Sequence, residues 1–283
     1  LERALELWPG LAEAHFRQGE LASAPDEARR AWDLTLAYEP AHVEALLARG
    51  RLSRDEGQHA AALTDFEAAR KHASPADPRP ALLEGLTRLA LGAPADAKAR
   101  LREGLEAARA ARATRDPLYA EAVLRLGELE LRQGDAQAAL AELEEAVRLM
   151  PQDVGPQVLL AEALVARGND PAAVEALSAA LRRDPSNLRA QELRGRAYRR
   201  LGQTTEAFRD LTAAKDLPSA RLARGCLRFE TVDFITSGDQ VAFDDLGARE
   251  DLEAAAADRA RLSPRDRAAA LLALGWLELA SAR

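Results

Sequence analysis

With 283 residues, a formal net charge of −7, 47% hydrophobic residues and only 4% aromatics, the chain has the balance of a helical protein packed through small side chains. The negative charge, with arginines interleaved among acids, argues against a nucleic-acid partner, and no apolar run reaches the ~20 residues that cross a bilayer. A single cysteine, Cys226, excludes an intrachain disulfide and suits a reducing, cytoplasmic setting.

From the N-terminus the pattern is one of paired helices. Residues 1–9 read as the second helix of a pair, because Leu1, Ala4 and Pro9 have the spacing of Leu143, Ala146 and Pro151 further along. This reading implies that the array extends upstream. Residues 10–40 hold a complete pair: Gly19 is the small residue at the helix crossing, and Ala28, Trp32 and Pro40 belong to the second helix. Its join at Ser23–Pro25 is about one turn shorter than elsewhere. Residues 41–74 are regular, with Gly50, Gly57, Ala62, Phe66 and Ala69 in phase. Residues 75–117 carry Gly85, Gly92, Ala97, Leu101 and Gly104, and the second helix is expected to overrun to Asp116. Residues 118–151, 152–185 and 186–218 are three regular pairs. Residues 219–264 are irregular: helices are expected from Ala220 to Glu230 and from Arg249 to Arg261, separated by an insertion at 231–250. Residues 265–283 supply a first helix without its partner, with Leu274 and Gly275 in phase.

The period of the regular block is 34: it relates Leu126 to Leu160, Gly127 to Ala161, Gly134 to Gly168, Ala139 to Ala173, Leu143 to Leu177, Ala146 to Ala180 and Pro151 to Pro185. A further step reaches Gly195, Gly202, Ala207, Leu211 and Ala214. First helices end at glycine, which takes the left-handed cap conformation without strain, and second helices end near proline, which cannot continue a helix. Small residues stand where two helices cross closely.

This pattern resembles the tetratricopeptide repeat (TPR) family, which has a small residue at position 8, glycine near 15, alanine at 20 and 27 and proline at 32. Gly127, Gly134, Ala139, Ala146 and Pro151 match in that order. The resemblance implies an all-α, right-handed superhelical solenoid of antiparallel helix pairs, a single array over 1–283. It also implies a concave groove lined by first-helix positions 2, 5, 9 and 12.

Catalytic chemistry is not legible. His15, His42, His59 and His72 are scattered over different helices, without a partner at metal-ligand spacing. The glycines mark helix ends rather than a phosphate loop, and Asp239, Asp244 and Asp245 lack the alternation of a calcium loop. No histidine follows Cys226 to activate it. No catalytic residue, metal site or cofactor is expected.

The candidate partner-binding residues come from the groove positions. Arg189, Arg196 and Arg199 fall at positions 2, 9 and 12 of one first helix. They either form a basic pocket for an acidic segment or pair with groove glutamates such as Glu128 and Glu162. Position 5 is mostly apolar, including Leu124 and Val158. These side chains either anchor a peptide or bury themselves between adjacent first helices. Position 5 is never Lys and position 9 never Asn, which argues against the two-carboxylate clamp of chaperone-tail receptors. In the insertion, Phe234 and Phe243 either dock a partner or fold onto the outside of their repeat.

The expected function is a non-catalytic protein-interaction scaffold. Its partner is a protein or peptide, the catalytic domain of its own parent chain being one candidate; neither nucleic acid nor membrane is expected. Lysine is confined to Lys71, Lys98 and Lys215 beside abundant Arg and Ala, which points to a GC-rich, bacterial coding sequence. The alternative is a regulatory TPR region of a multidomain enzyme, such as a bacterial Ser/Thr kinase.

Overall fold

The computed structural model describes Trp8 and residues 10–232, 245–258 and 260–281. Among these residues it has fifteen α-helices and no strand. The chain divides into two compact units, Leu1–Leu149 and Met150–Arg283. In the first, four hairpins follow in order: α1 (Ala12–Leu21) with α2 (Pro25–Tyr38), α3 (Val43–Asp55) with α4 (His59–His72), α5 (Arg79–Ala90) with α6 (Pro94–Ala110), and α7 (Pro117–Arg132) with α8 (Ala136–Leu149). The second holds α9 (Val154–Ala166) with α10 (Asp170–Arg183), α11 (Leu188–Arg200) with α12 (Thr204–Ala213), α13 (Pro218–Val232) with α14 (Asp245–Ala257), and then α15 (Pro264–Ser281). Within each unit every hairpin packs on the next, so each covers the apolar side of its neighbour.

Local chemistry sets the boundaries. Side chains of Asp116, Asp153, Asn169 and Asn187 accept hydrogen bonds from the otherwise orphaned amides that open α7, α9, α10 and α11. Gly134, Gly168 and Gly202 close α7, α9 and α11 with φ between 74° and 82°. After Gly134, the Asp135 amide donates back to the Glu130 carbonyl, 2.9 Å away, and so satisfies one of the last free acceptors.

The expected overrun of α6 to Asp116 is corrected: the helix ends at Ala110. Arg112 takes φ 55°, and the Ala113 amide donates to the Ala108 carbonyl at 2.9 Å, the same closure without a glycine. Around the insertion the helices encroach from both sides. α13 continues to Val232, and α14 runs from Asp245 to Ala257 rather than from Arg249 to Arg261. Arg228 secures the start of α14, donating to the Gly247 carbonyl at 2.7 Å and to Asp251 at 2.9 Å. The remainder of the insertion, with Phe234 and Phe243, and the half repeat at residues 1–7 lie outside the described residues.

Each hairpin crosses at its small residue. A Cβ placed on Gly127 would meet Leu143 Cγ at 2.8 Å, and Gly85, Gly195 and Gly225 stand as close to Leu101, Leu211 and Leu252. In α1/α2 and α3/α4 the fillers are Trp32 and Phe66. Trp32 follows Gly19 by 13 residues, against 16 from Gly127 to Leu143, so the short Ser23–Pro25 join removes about one turn and leaves the crossing intact. Leu252 follows Gly225 by 27, so the same contact survives the insertion.

An ion pair accompanies many crossings, a feature the repeat pattern alone did not reveal. Arg49, immediately before Gly50, donates two hydrogen bonds to buried Asp65, immediately before Phe66, at 3.0 and 2.7 Å. Arg194 and Asp210 repeat this at 2.6 and 3.0 Å, and Arg224 and Asp251 at 2.8 and 2.5 Å. In α5/α6 the signs are exchanged: buried Glu84 pairs with Arg100 at 3.2 Å and also accepts from Arg70 and Arg88. Two-point pairs of this kind fix the rotation of one helix against the other, which a leucine contact does not.

A second network ties α6, α7 and α8. The buried Tyr119 hydroxyl donates to Glu145 at 2.7 Å and accepts from Arg109 at 3.0 Å, while Arg109 also donates to Glu142 and Glu145. Burial, and then the hydrogen bond to Glu145, push the Tyr119 phenol up to about 12, with the Arg109 charge opposing. In the unfolded chain a tyrosine loses its proton near ~10. The unfolded state therefore ionises first, and stability contributed by Tyr119 is lost as pH rises from about 10 to about 12. Tyr119→Phe is expected to cost about 1 kcal/mol at neutral pH, through the lost hydrogen bonds, and to flatten this alkaline limb. Thermal melting of both proteins from neutral to strongly alkaline pH checks it; parallel curves would refute it.

Candidate functional site

In the first unit, α3, α5 and α7 stand side by side and enclose a cavity of about 380 Å³. Leu86 and Leu89 of α5 and Leu129 of α7 form its apolar floor. Arg54 at the end of α3, His59 at the start of α4, and Glu121, Arg125, Glu128 and Arg132 on α7 form its charged wall. The four α7 residues are spaced 4, 3 and 4, which places them on one helical face. Glu128 accepts from Arg125 at 2.9 Å and from Arg132 at 2.6 Å. Among the described residues, Arg54 approaches only exposed Asp55, at 3.5 Å, and the buried His59 Nδ1 has no hydrogen-bond partner.

In the second unit, α11 carries its basic residues against carboxylates. Glu192 is fully buried, with Arg189 donating to it at 2.8 Å and Arg196 at 3.3 Å. Arg189 also donates to Glu162 on α9, at 2.8 Å, and Arg199 to Glu230 on α13, at 2.8 Å. Burial pushes the neighbouring Cys226 thiol up, against the pull of the Arg199 charge, so it is protonated at neutral pH.

Of the expected partner-binding residues, Glu128 lines the cavity, and Leu124, one turn earlier on α7, is half-buried. Val158 is buried, as are the position-5 residues Phe16, Leu47, Leu82 and Leu222. Glu162, Arg189 and Arg196 come together in one chain of ion pairs through Glu192, and Arg199 pairs separately with Glu230, along the first helices of the second unit. Position 5 of α11 is the exception within the apolar band: it is Glu192, and this buried acid gathers two of the arginines. Arg54 stands at groove position 12 of its first helix, seven residues after Leu47 at position 5, whereas His59, Arg125 and Arg132 occupy positions outside 2, 5, 9 and 12. The alternating 4-3-4 charge spacing on α7 was the available signal for the last two. Among the described residues, no three His, Cys, Asp or Glu side chains converge as a metal ion would require, and no helix is long and apolar enough to cross a membrane.

Antiparallel helix pairs of one recurring length, each crossing at a small residue and packed on the next, define a helical-repeat protein. The tetratricopeptide repeat family matches over residues 25–78 and 82–154, and again over 130–197. The chain belongs to this family. It is similar in structure to YrrB, a TPR protein with an unusual peptide-binding site. The TM-score is 0.60 at 18% identity, covering 67% of this chain and 93% of YrrB. A TPR protein from Parabacteroides merdae matches at a TM-score of 0.52 and 15% identity, covering 93% of this chain and 98% of its own. MamA from Desulfovibrio magneticus matches at 0.53 and 21%, covering 62% of this chain and 94% of its own. These likenesses describe the fold. No curated protein matches the chain.

Proposed function

We propose that the chain is a non-catalytic protein-interaction scaffold that holds segments of a protein partner against the first-helix faces of its units. In the first unit the contact residues are Leu124 and Glu128 with the cavity wall beside them. In the second they are Val158, Glu162, Arg189, Arg196 and Arg199. The observation that carries this reading is the cavity among α3, α5 and α7, where an apolar floor meets guanidinium groups that are exposed and only partly paired. Such a combination orients and anchors a peptide. The peptide-binding site of YrrB, a protein of the same fold, is consistent with this use of the architecture.

The whole chain serves as bait, and the captured partner is identified and its affinity measured. The double variants Arg125→Glu/Arg132→Glu and Arg189→Ala/Arg199→Ala are then compared with wild type. Loss of about tenfold in affinity in at least one, with unchanged helical circular dichroism, is the expected result. Unchanged affinity in both, or turnover of a substrate by this chain, would remove the proposal.

A further inference from the structure

We infer that the cavity of the first unit recognises a short acidic segment of a protein, seating one apolar side chain on Leu86, Leu89 and Leu129 and a neighbouring carboxylate on Arg54, Arg125 and Arg132. This rests on the function proposed above and names what that face takes.

The volume is adequate for such a segment, since about 380 Å³ lies in the lower part of the ~300–1,000 Å³ range of ligand sites. The charge fits as well. The wall carries three arginines against Glu121 and Glu128, whereas the chain as a whole carries −7. Each guanidinium has several N–H donors in a planar fork. Among the described residues, Arg125 commits Nη1 to Glu128, Arg132 commits Nη2 to the same carboxylate, and Arg54 has only its 3.5 Å approach to Asp55. Most of their donors therefore remain for a ligand.

Glu128 has a positioning role. Both its oxygens are engaged, one by each arginine, three residues before and four residues after it on the same helix. It holds two heads, whose side chains are 49% and 75% exposed, beside the opening instead of leaving them free in solvent. A carboxylate arriving from a ligand would share these arginines with Glu128. The leucine floor favours an apolar side chain over a bare anion, and the two glutamates in the wall disfavour a polyanion such as nucleic acid.

The test is selection of a phage-displayed random-peptide library on the whole chain, followed by titration of the enriched peptide. Enriched sequences are expected to place Asp or Glu within two residues of Leu, Ile, Phe or Met. Arg54→Glu/Arg132→Glu should weaken that peptide about tenfold. Glu128→Gln, which releases both arginines, should tighten it by roughly three- to fivefold, the opposite sign. Replacing the peptide's acid by its amide or its apolar residue by glycine should each abolish enrichment, and millimolar inorganic phosphate or acetate should not displace it. Circular dichroism and melting of the variants keep misfolding out of the comparison. Enriched peptides without the acidic–apolar pair, or peptides indifferent to both variants, overturn this inference while leaving the scaffold reading standing. Displacement by free phosphate or acetate overturns it in favour of a simple anion site. A library that yields no peptide at all overturns both.

Discussion

Asp210→Ala lowers the stability of the second unit by about 3–5 kcal/mol, because it leaves a poorly hydrated arginine without its carboxylate. Asp210 is nearly fully buried between α11 and α12, and its two oxygens take the fork of Arg194 at 2.6 and 3.0 Å. A 3.2 Å hydrogen bond to Ser178 and an approach to the face of Tyr198, 5.8 Å from the ring centre, would remain for that guanidinium. The pair itself contributes far less than its loss costs, since both charges were desolvated to make it. Hence Arg194→Met/Asp210→Leu should recover most of the loss, and the two single changes should be strongly non-additive. The exchange Arg194→Glu/Asp210→Arg copies the arrangement already present at Glu84 and Arg100 and should cost little. Equilibrium denaturation of these variants, with Arg194→Met and Asp210→Leu as the single arms, measures the cycle. Single variants within about 1 kcal/mol of wild type would show that the pair is solvated rather than buried.

The second large effect concerns the crossing of α7 and α8. Leu143 is fully buried and lies over Gly127, so Leu143→Ala opens a void and should cost about 2–5 kcal/mol. Gly127→Ala should also destabilise, by about 1–3 kcal/mol, even though alanine is the better helix former by ~1 kcal/mol. The added methyl would stand 2.8 Å from Leu143 Cγ. In the Leu143→Ala background the sign reverses, because the same methyl now fills part of the void and helix propensity acts unopposed. Ala161, fully buried at the matching position of α9 with Leu177 as its filler, shows that alanine fits where the two helices are set for it. A Gly127→Ala change that stabilises the wild-type protein would mean that the crossing is loose and that glycine is not required there.

The two effects act on different parts of the hairpin. The glycine–leucine contact sets how closely two helices approach, a matter of volume. The arginine–aspartate pair sets their rotation, a matter of direction. Where the pair is absent, as at Leu126 and Glu142 in α7/α8, Glu142 is drawn instead to Arg109 at the end of α6, so the charge ties one hairpin to the preceding one.

The spacing of glycine, leucine, alanine and proline determined the family, the helix pairs and their crossings without any coordinates. These features depend on local backbone conformation and on contacts at a constant separation along the chain, and a 34-residue period records both. The short first join was legible for the same reason, and the groove positions offered the pairing of Arg189 with Glu162 as one of two alternatives. The end of α6 was not, because Arg112 adopts a conformation that its residue type does not announce. The binding surface was also decided in three dimensions. Which arginines are spent and which remain available depends on the carboxylates that packing sets against them: Glu162 from α9 and Glu230 from α13 join Glu192 around α11, whereas the cavity arginines meet Glu128 and Asp55 of their own helices. Charge on a helical face can be read from order alone, but its neutralisation depends on distances between helices, which only packing sets.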